Sequence, residues 1–295
     1  MSGAQRDPGR AAVTLATLAE RKAAGEPVVM VTAYDHPSAV IADEAGVDVV
    51  LVGDSAANVV LGYDSTVPVT VEELLVLTRA VRRGLRHPLL VADLPFGSYE
   101  AADADAVRTA QRFVKEGGAD AVKLERGGTS IDRARAIVAA GIPVIGHIGL
   151  TPQAATSLGG YRAQGRTADQ AEQLIRDALG LQAAGCFAIV IEAVPAAVTE
   201  LLVPLLDCLT IGIGAGGATD GQVLVWHDLL GISGGRLARF VRTFADVRTE
   251  LARGVGAYVA AVRNHDFPAA EHTYSIAERE LDELRARLGA RDPRG

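Results

Sequence analysis

Two cysteines, one tryptophan and an aromatic content of 4% are the scarcest features of this 295-residue chain. Cys186 and Cys208 each stand at the threshold of an apolar run, so buried free thiols are expected there rather than a disulfide. Lysine and arginine form no run and no patch interleaved with aromatics, and the net charge is −7. Nucleic-acid binding, which depends on neutralising phosphates, is not expected from that balance. No apolar stretch reaches the roughly 20 residues that span a bilayer. The opening MSGAQRDPGR lacks the apolar core of a signal peptide, so the cytoplasm is the expected location.

What the chain has in quantity is small apolar side chains. It is 49% hydrophobic with 32 glycines, which suits an α/β enzyme built on Val, Ile, Leu and Ala. The stretch Val49–Thr66, VVLVGDSAANVVLGYDST, sets the pattern. An apolar run, interrupted at its start by Asp48, turns abruptly polar at Gly53-Asp54-Ser55, as a parallel strand buried on both faces would. The same grammar recurs. LLVADLPF ends on Asp93, DAVKLE on Lys123 and Glu125, PVIGHIGL on His147 and FAIVIEAV on Glu192. Carboxyl ends of strands are where α/β folds place ligands.

Helical spacing predicts helices over Thr14–Ala24, Pro37–Ala45, Ala101–Glu116, Ser130–Ala140, Ala168–Ala184 and Leu237–Leu251, with another N-capped by Thr70 and a short one opened by Pro195. Apolar runs predict strands at Val28–Tyr34, Val47–Val52, Leu89–Ala92, Asp120–Glu125, Val144–Ile148, Phe187–Ile191 and Leu209–Ile213. Gly221–His227 is expected as a helix and Leu229–Ile232 as a short eighth strand. Ala56–Val69 shows no helical period and reads as a long functional loop. Uninterrupted strand–helix alternation favours a single-domain (β/α)8 TIM barrel over a doubly wound sheet, with an N-terminal helix and a C-terminal helical extension. The expected divisions are a flexible arm over 1–13, the catalytic barrel over 14–274 and a charged tail over 275–295, where Ile276, Leu281, Leu284 and Leu288 recur at roughly helical spacing.

In a barrel the strand ends converge, which brings Asp54, Asp93 and Glu125 together. Three anions share a small site only at a large electrostatic cost, and a divalent cation removes it. All-oxygen ligands with positions left open for substrate point to Mg2+; taken singly, each acid could instead cap a helix or pair with an arginine. Lys123 lies two residues before Glu125 and shares its side of the strand. It is expected to hold a carboxylate or a developing enolate oxygen, or simply to neutralise the acids. His147 is expected to hydrogen-bond substrate rather than metal. Glu192 ends an apolar run, so burial would raise its pKa and make it a general base; its other reading is a carboxylate that orients His147 or Lys123. Ser55 is expected either to donate to a substrate oxygen or to cap.

Gly212-Ile213-Gly214-Ala215-Gly216-Gly217 has the wrong spacing for a dinucleotide fingerprint and reads instead as close ligand approach after a seventh strand. LGGYRAQGR is placed to fold over the mouth as a lid.

Taken together, VTAYDHPSA, VGDS, VVLGYDSTVPVT, ADLPFGSY, AVKLE, GHIGLTPQ, LGGYRAQGR, IEAVP, IGIGAG and TDGQVLVWHDLLGI resemble the ketopantoate hydroxymethyltransferase family, in order, over about residues 14–274. The resemblance implies a barrel related to phosphoenolpyruvate mutase and isocitrate lyase. It implies transfer of a one-carbon unit from 5,10-methylenetetrahydrofolate to 3-methyl-2-oxobutanoate through a Mg-stabilised enolate, in pantothenate biosynthesis. It assigns Asp54, Asp93 and Glu125 to Mg2+, and Ser55, Asp93 and Lys123 to the oxo acid, with His147 beside them. Glu192 becomes the proton acceptor. It also implies a homo-oligomer, commonly a decamer. Departures stand at Ala56-Ala57-Asn58, where a Leu-Gly-Met-like segment is more usual, and at Arg126, where Gly is usual; LARF near Phe240 and the long charged tail also differ. The alternatives are another Mg-dependent oxo-acid lyase or mutase of the same superfamily, and a non-catalytic paralogue.

Overall fold

Eight short apolar runs pair in parallel, each with the next in sequence, and the last closes on the first. They are β1 (Val28–Thr32), β2 (Val49–Val52), β3 (Leu89–Asp93), β4 (Ala121–Glu125), β5 (Val144–Gly149), β6 (Ala188–Glu192), β7 (Leu209–Ile213) and β8 (Gly221–Leu224). This is the expected (β/α)8 barrel. The computed structural model describes residues 10–157, 159–235 and 237–289. Residues 1–9 of the expected arm, Leu158 of the expected lid stretch and residues 290–295 of the expected tail lie outside that set.

The helices of the barrel unit are α1 (Leu15–Ala24), α2 (His36–Glu44), α3 (Ala56–Val59), α4 (Val71–Gly84), α5 (Asp103–Lys115), α6 (Thr129–Ala139), α7 (Ala168–Ala183), α8 (Ala196–Leu202) and α9 (Trp226–Leu229). Local chemistry starts several of them. Thr14 with Thr17, Asp35 with Ser38 and Thr70 with Glu73 form reciprocal capping boxes that satisfy otherwise orphaned backbone donors.

Alternating strand residues split the core into two layers. Val50, Leu90, Val122, Ile189 and Ile191 face the helices. Met30, Val49, Val91, Ile145, Val190 and Ile211 fill the barrel interior. Leu18 of α1 joins the interior layer, and Arg21 and Lys22 pair with Asp48 and Asp220 at 3.2 and 2.8 Å. Helix α1 therefore lies across the amino ends of the strands. Aspartates there serve the sheet. Asp48, Asp120 and Asp220 each accept a backbone N–H from a neighbouring strand, from Val29, Leu90 and Thr210, at 2.7–2.9 Å.

The eighth strand differs from expectation. Gly221–Leu224 is strand, hydrogen-bonded to both β1 and β7, and Leu229–Ile232 is not. A four-residue run carries too little periodicity to separate strand from helix. A Cβ at Gly221 would lie 2.4 Å from the Val28 carbonyl oxygen, so glycine is what lets β8 close the barrel. Trp226 then starts α9, with its N–H donated to Thr32 Oγ1 at 2.8 Å. A single turn, α3, also stands inside the stretch expected to be irregular, with Ala56 and Ala57 fully buried.

Compactness divides the chain into Met1–Ala245 and Asp246–Gly295, so the expected 14–274 domain spans the first unit and part of the second. The helix expected at Leu237–Leu251 is instead α10, Val247–Arg263, because the Asp246 side chain accepts from Thr249 N–H and caps it there. The second unit continues through a T-shaped Tyr258–Phe267 contact to α11, Glu278–Gly289, which carries intrahelical Arg–acid pairs. Cys186 and Cys208 are free thiols, raised by burial to about 12 and about 11. Among the described residues, no helix is long and apolar enough to cross a membrane.

Asp43 ties α2 to the segment before β3. Its carboxylate accepts the Arg86 and His87 N–H groups at 2.6 and 3.2 Å and meets His87 Nδ1 at 2.6 Å. Burial pushes its pKa up, but the His87 ring and the two N–H groups outweigh that and hold it below the ordinary 3.8. A depressed carboxyl contributes stability above its unfolded pKa and loses it as pH falls through the folded one. Asp43→Ala is expected to cost roughly 1–3 kcal/mol at neutral pH. By urea denaturation, that deficit should shrink once the pH drops below 3.8; a deficit independent of pH would show that packing, not charge, is what was lost.

Candidate active site

Parallel register decides which side chains meet at the carboxyl rim. Asp93 pairs with Lys123, Glu125 with His147, and Gly149 with Glu192. All seven residues singled out in the sequence, Asp54, Ser55, Asp93, Lys123, Glu125, His147 and Glu192, line one cavity of about 170 Å³. Much of its wall is apolar, with Leu51, Val190, Ile213, Val223 and Phe240, and Thr32 and Asp228 also line it.

The polar groups form a continuous chain. Lys123 Nζ lies 2.8 Å from Asp93 Oδ1, 4.0 Å from Glu125 Oε1 and 3.3 Å from His147 Nδ1. The His147 ring bridges Glu125 Oε1 and Glu192 Oε2, each at 3.2 Å. Asp54 N–H donates to Asp93 Oδ2 at 2.9 Å, and Ser55 Oγ lies 2.8 Å from the Tyr34 hydroxyl. Burial and Lys123 push the His147 pKa down, but Glu125 and Glu192 overcome them and raise it to about 9, so the ring is cationic at neutral pH. Lys123 is raised despite burial, because Asp93, Glu125 and Asp54 surround it. Burial raises Glu125 too, yet His147 and Lys123 hold it below its usual range. Asp54 has no cation in contact, and burial, Glu125 and Asp93 push its pKa well up.

His147 is thus committed to two carboxylates, and Glu192 keeps 15% of its side chain exposed, so its burial is less complete than the apolar run suggested. Backbone conformation is unusual beside both. Ala193 has φ +49° and Arg126 has φ +79°, a conformation that glycine adopts freely, and Arg126 N–H donates to the His147 carbonyl. That geometry suits the glycine that the family resemblance leads one to expect at the Arg126 position. Neither Arg126 nor Ala56, Ala57 and Asn58 lines the inner cavity.

Three buried participants escaped the sequence reading. Gln153 Nε2 donates to Asp54 Oδ2 and to the Leu94 carbonyl, while Gln153 N–H donates to Glu125 Oε2. Tyr99 donates its hydroxyl proton to Gln153 Oε1, and Tyr34 holds Ser55. Each lies in one of the motifs GHIGLTPQ, ADLPFGSY and VTAYDHPSA, but none ends an apolar strand with a charged group.

Among the described residues, no three Asp, Glu, His or Cys side chains form a ready-made metal cage. The donors nevertheless suit a hard cation. Asp93 Oδ1, with Lys123 Nζ 2.8 Å away, and Glu125 Oε1 are buried without an aligned hydrogen bond, and the charged form of Asp54 is disfavoured by burial and by Glu125 and Asp93. The glycine run after β7 allows close packing, and Gly214 and Gly216 also line a second, larger cavity. A Cβ at Gly214 would fall 2.5 Å from the Phe240 ring and one at Gly216 2.7 Å from Ala196.

The family model for ketopantoate hydroxymethyltransferase matches residues 12–270. The chain belongs to the ketopantoate hydroxymethyltransferase family. It is 54% identical over 267 residues to the 3-methyl-2-oxobutanoate hydroxymethyltransferase of Frankia casuarinae, covering 90% of each chain. To that of Carboxydothermus hydrogenoformans it is 49% identical over 272 residues, covering 92% of this chain and 99% of the relative. Among solved structures it resembles phosphonopyruvate hydrolase in complex with oxalate and Mg2+ (TM-score 0.57, 14% identity, 95% and 99% covered). It also resembles 2,3-dimethylmalate lyase, of the phosphoenolpyruvate mutase and isocitrate lyase superfamily (TM-score 0.55, 14% identity, 93% and 99% covered). Those two likenesses concern the fold. As a ketopantoate hydroxymethyltransferase the chain is a transferase enzyme of pantothenate biosynthesis, which sets aside the non-catalytic paralogue.

Replacing Arg126 by Gly removes a strained backbone conformation. Chemical denaturation of Arg126→Gly should show a gain of up to about 1 kcal/mol, after the larger unfolded-state entropy of glycine is subtracted. A loss instead would mean that the arginine side chain supports the fold. Gln153→Ala should lower kcat/KM by roughly 10–100-fold with the far-ultraviolet circular dichroism unchanged. Full activity would refute a positioning role.

Proposed function

We propose that this enzyme transfers a hydroxymethyl unit from 5,10-methylenetetrahydrofolate to 3-methyl-2-oxobutanoate, giving ketopantoate. The observation that carries the reading is Glu192 at the edge of a small cavity that is ionic at its floor and apolar along its wall. An oxo acid with a branched alkyl end matches both parts: its carboxylate and keto oxygens suit the ionic floor, and its isopropyl group suits Leu51, Val190, Ile213 and Val223.

Asp54, Asp93 and Glu125 would hold Mg2+. When bound, that ion supplies a Lewis acid that polarises the keto carbonyl and makes the C3 hydrogen more acidic. Glu192 takes the C3 proton, and the neighbouring His147 cation offsets the charges of Glu125 and Glu192 around it. Lys123 donates to the oxygen on which charge develops, in a site buried enough for that bond to count. Ser55, steadied by Tyr34, donates to the substrate carboxylate. The C3 carbon then bonds to the donor's methylene carbon. The overall reaction consumes one water, whose oxygen becomes the new hydroxyl, and releases tetrahydrofolate. Much of the protein's work is orientation of two substrates.

The reading includes a cytoplasmic homo-oligomer, a decamer by family resemblance. What supports association is that α10 leaves Leu251, Val255 and Tyr258 exposed by 56%, 64% and 58%.

Loss of the C3 signal of 3-methyl-2-oxobutanoate in deuterium oxide, followed by nuclear magnetic resonance, isolates proton removal from transfer. Glu192→Gln should slow this exchange by roughly two orders of magnitude or more while the oxo acid still binds. Undiminished exchange in the variant sinks the base assignment, and no exchange in the wild type sinks the substrate.

A further inference from the structure

A second cavity opens beside the first. It measures about 1170 Å³, against about 170 Å³ for the inner one, and the two share Glu192 and Phe240. Its lining contrasts with the inner floor. Where Asp54, Asp93 and Glu125 crowd the inside, the groove carries Arg162, Arg166 and Arg239, and Glu192 is its one acidic residue. Among the described residues none of these three guanidinium groups has an ion-pair partner; that is also true of Arg79, Arg83, Arg86, Arg126, Arg242, Arg248 and Arg263, so what sets the three apart is that they line one groove together. Three free cations on one groove of a chain with net charge −7 are a local concentration of positive charge. Tyr161, 58% exposed, and Phe240 add flat apolar faces. The Phe240 ring reaches its place because Gly214 has no side chain.

We propose that this groove is the binding site of the one-carbon donor, with Tyr161 and Phe240 against its aromatic rings and Arg162, Arg166 and Arg239 holding its glutamate carboxylates. The inference rests on the function proposed above and goes beyond it by assigning residues to a substrate that none of the seven strand-end residues accounts for. Size separates the two substrates. The inner cavity suits a five-carbon oxo acid, whereas the donor needs a site of the larger kind. Charge sets the donor's direction. Its anionic tail is repelled by the inner carboxylates and attracted by the outer arginines, so its ring end faces Glu192 and Phe240, where the two cavities meet. Cationic faces of arginine also suit stacking against a flat ring system.

The test is equilibrium binding of tetrahydrofolate triglutamate to the full-length protein, read by calorimetry at low and high salt. The combined Arg162→Ala, Arg166→Ala and Arg239→Ala variant should bind it roughly tenfold or more weakly and lose most of the salt dependence of the wild type. Circular dichroism and melting temperature check the fold, and the combined lysine variant, which keeps the charge, should recover part of the affinity. Binding by the alanine variant within about twofold of wild type at low salt overturns the proposal. So does a wild type that exchanges the C3 hydrogen of the oxo acid yet shows no affinity for tetrahydrofolate. A wild type that binds tetrahydrofolate through these arginines without C3 exchange leaves the groove standing and overturns the function on which it was built.

Discussion

Lys123 sits inside a ring of acids, 2.8 Å from Asp93 and 4.0 Å from Glu125. Buried carboxylates of one sign are tolerated only when something nearby carries the opposite charge. Lys123 and the cationic His147 face five acids around the cavity, Asp54, Asp93, Glu125, Glu192 and Asp228. Asp54 is the least favoured in its charged form: it has neighbours of its own sign and, among the described residues, only neutral Gln153 in hydrogen-bonding contact with its side chain. An imbalance of this kind would be a defect in a core built only for stability. At the mouth of a barrel it leaves room for a cation and an anionic substrate to complete the balance together. The same imbalance makes Gln153 and Tyr99 necessary, since they fix where Asp54 and Glu125 point without adding charge.

Aspartates end up at both rims of this barrel, and only strand direction distinguishes their roles. Asp48, Asp120 and Asp220 precede strands and accept backbone N–H groups from adjacent strands, which is structural work. Asp54 and Asp93 stand at the far ends and face the cavity. The distinction was legible in the sequence because an apolar run has a beginning and an end, and in a parallel barrel all the ends share one side. This is why the strand-end acids, Lys123, His147 and Glu192 stand out in the sequence alone. Charge state and contacts were less legible. That His147 bridges Glu125 and Glu192 depends on register across three strands, which no single segment encodes.

The misread segments share a cause. Gly221–Leu224 and Trp226–Leu229 are each four residues long, too short for a period of two to be told from one of 3.6. What makes Gly221 a strand residue is the Val28 carbonyl, almost two hundred positions away in sequence. Likewise, the stretch expected as a helix from Leu237 has apolar residues at plausible spacing, but Phe240 is drawn to the space above Gly214 and Asp246 supplies the cap that starts the helix later. Tertiary contact overrode local pattern at these points, while the Thr70 cap, being local, is legible in the sequence, and the helices capped by Thr14 and Asp35 start within one residue of where the pattern places them.

On the proposed function, two cavities of unlike size and charge that meet at Glu192 and Phe240 would divide the chemistry in a consistent way. Proton removal needs a small, nearly dry, electrostatically fixed chamber, because hydrogen bonds to a developing oxyanion are worth most where water is scarce. Delivery of a large anionic donor needs the reverse: an open approach and positive charge that acts over distance. One barrel mouth can provide both because its loops, not its strands, form the outer half. Strand ends hold the acids and Lys123 rigidly, while Tyr161, Arg162, Arg166 and Arg239 come from the segments after β5 and β8. Rigidity is thus placed where sub-ångström geometry decides a proton transfer, and adaptable side chains where a larger substrate must enter and leave.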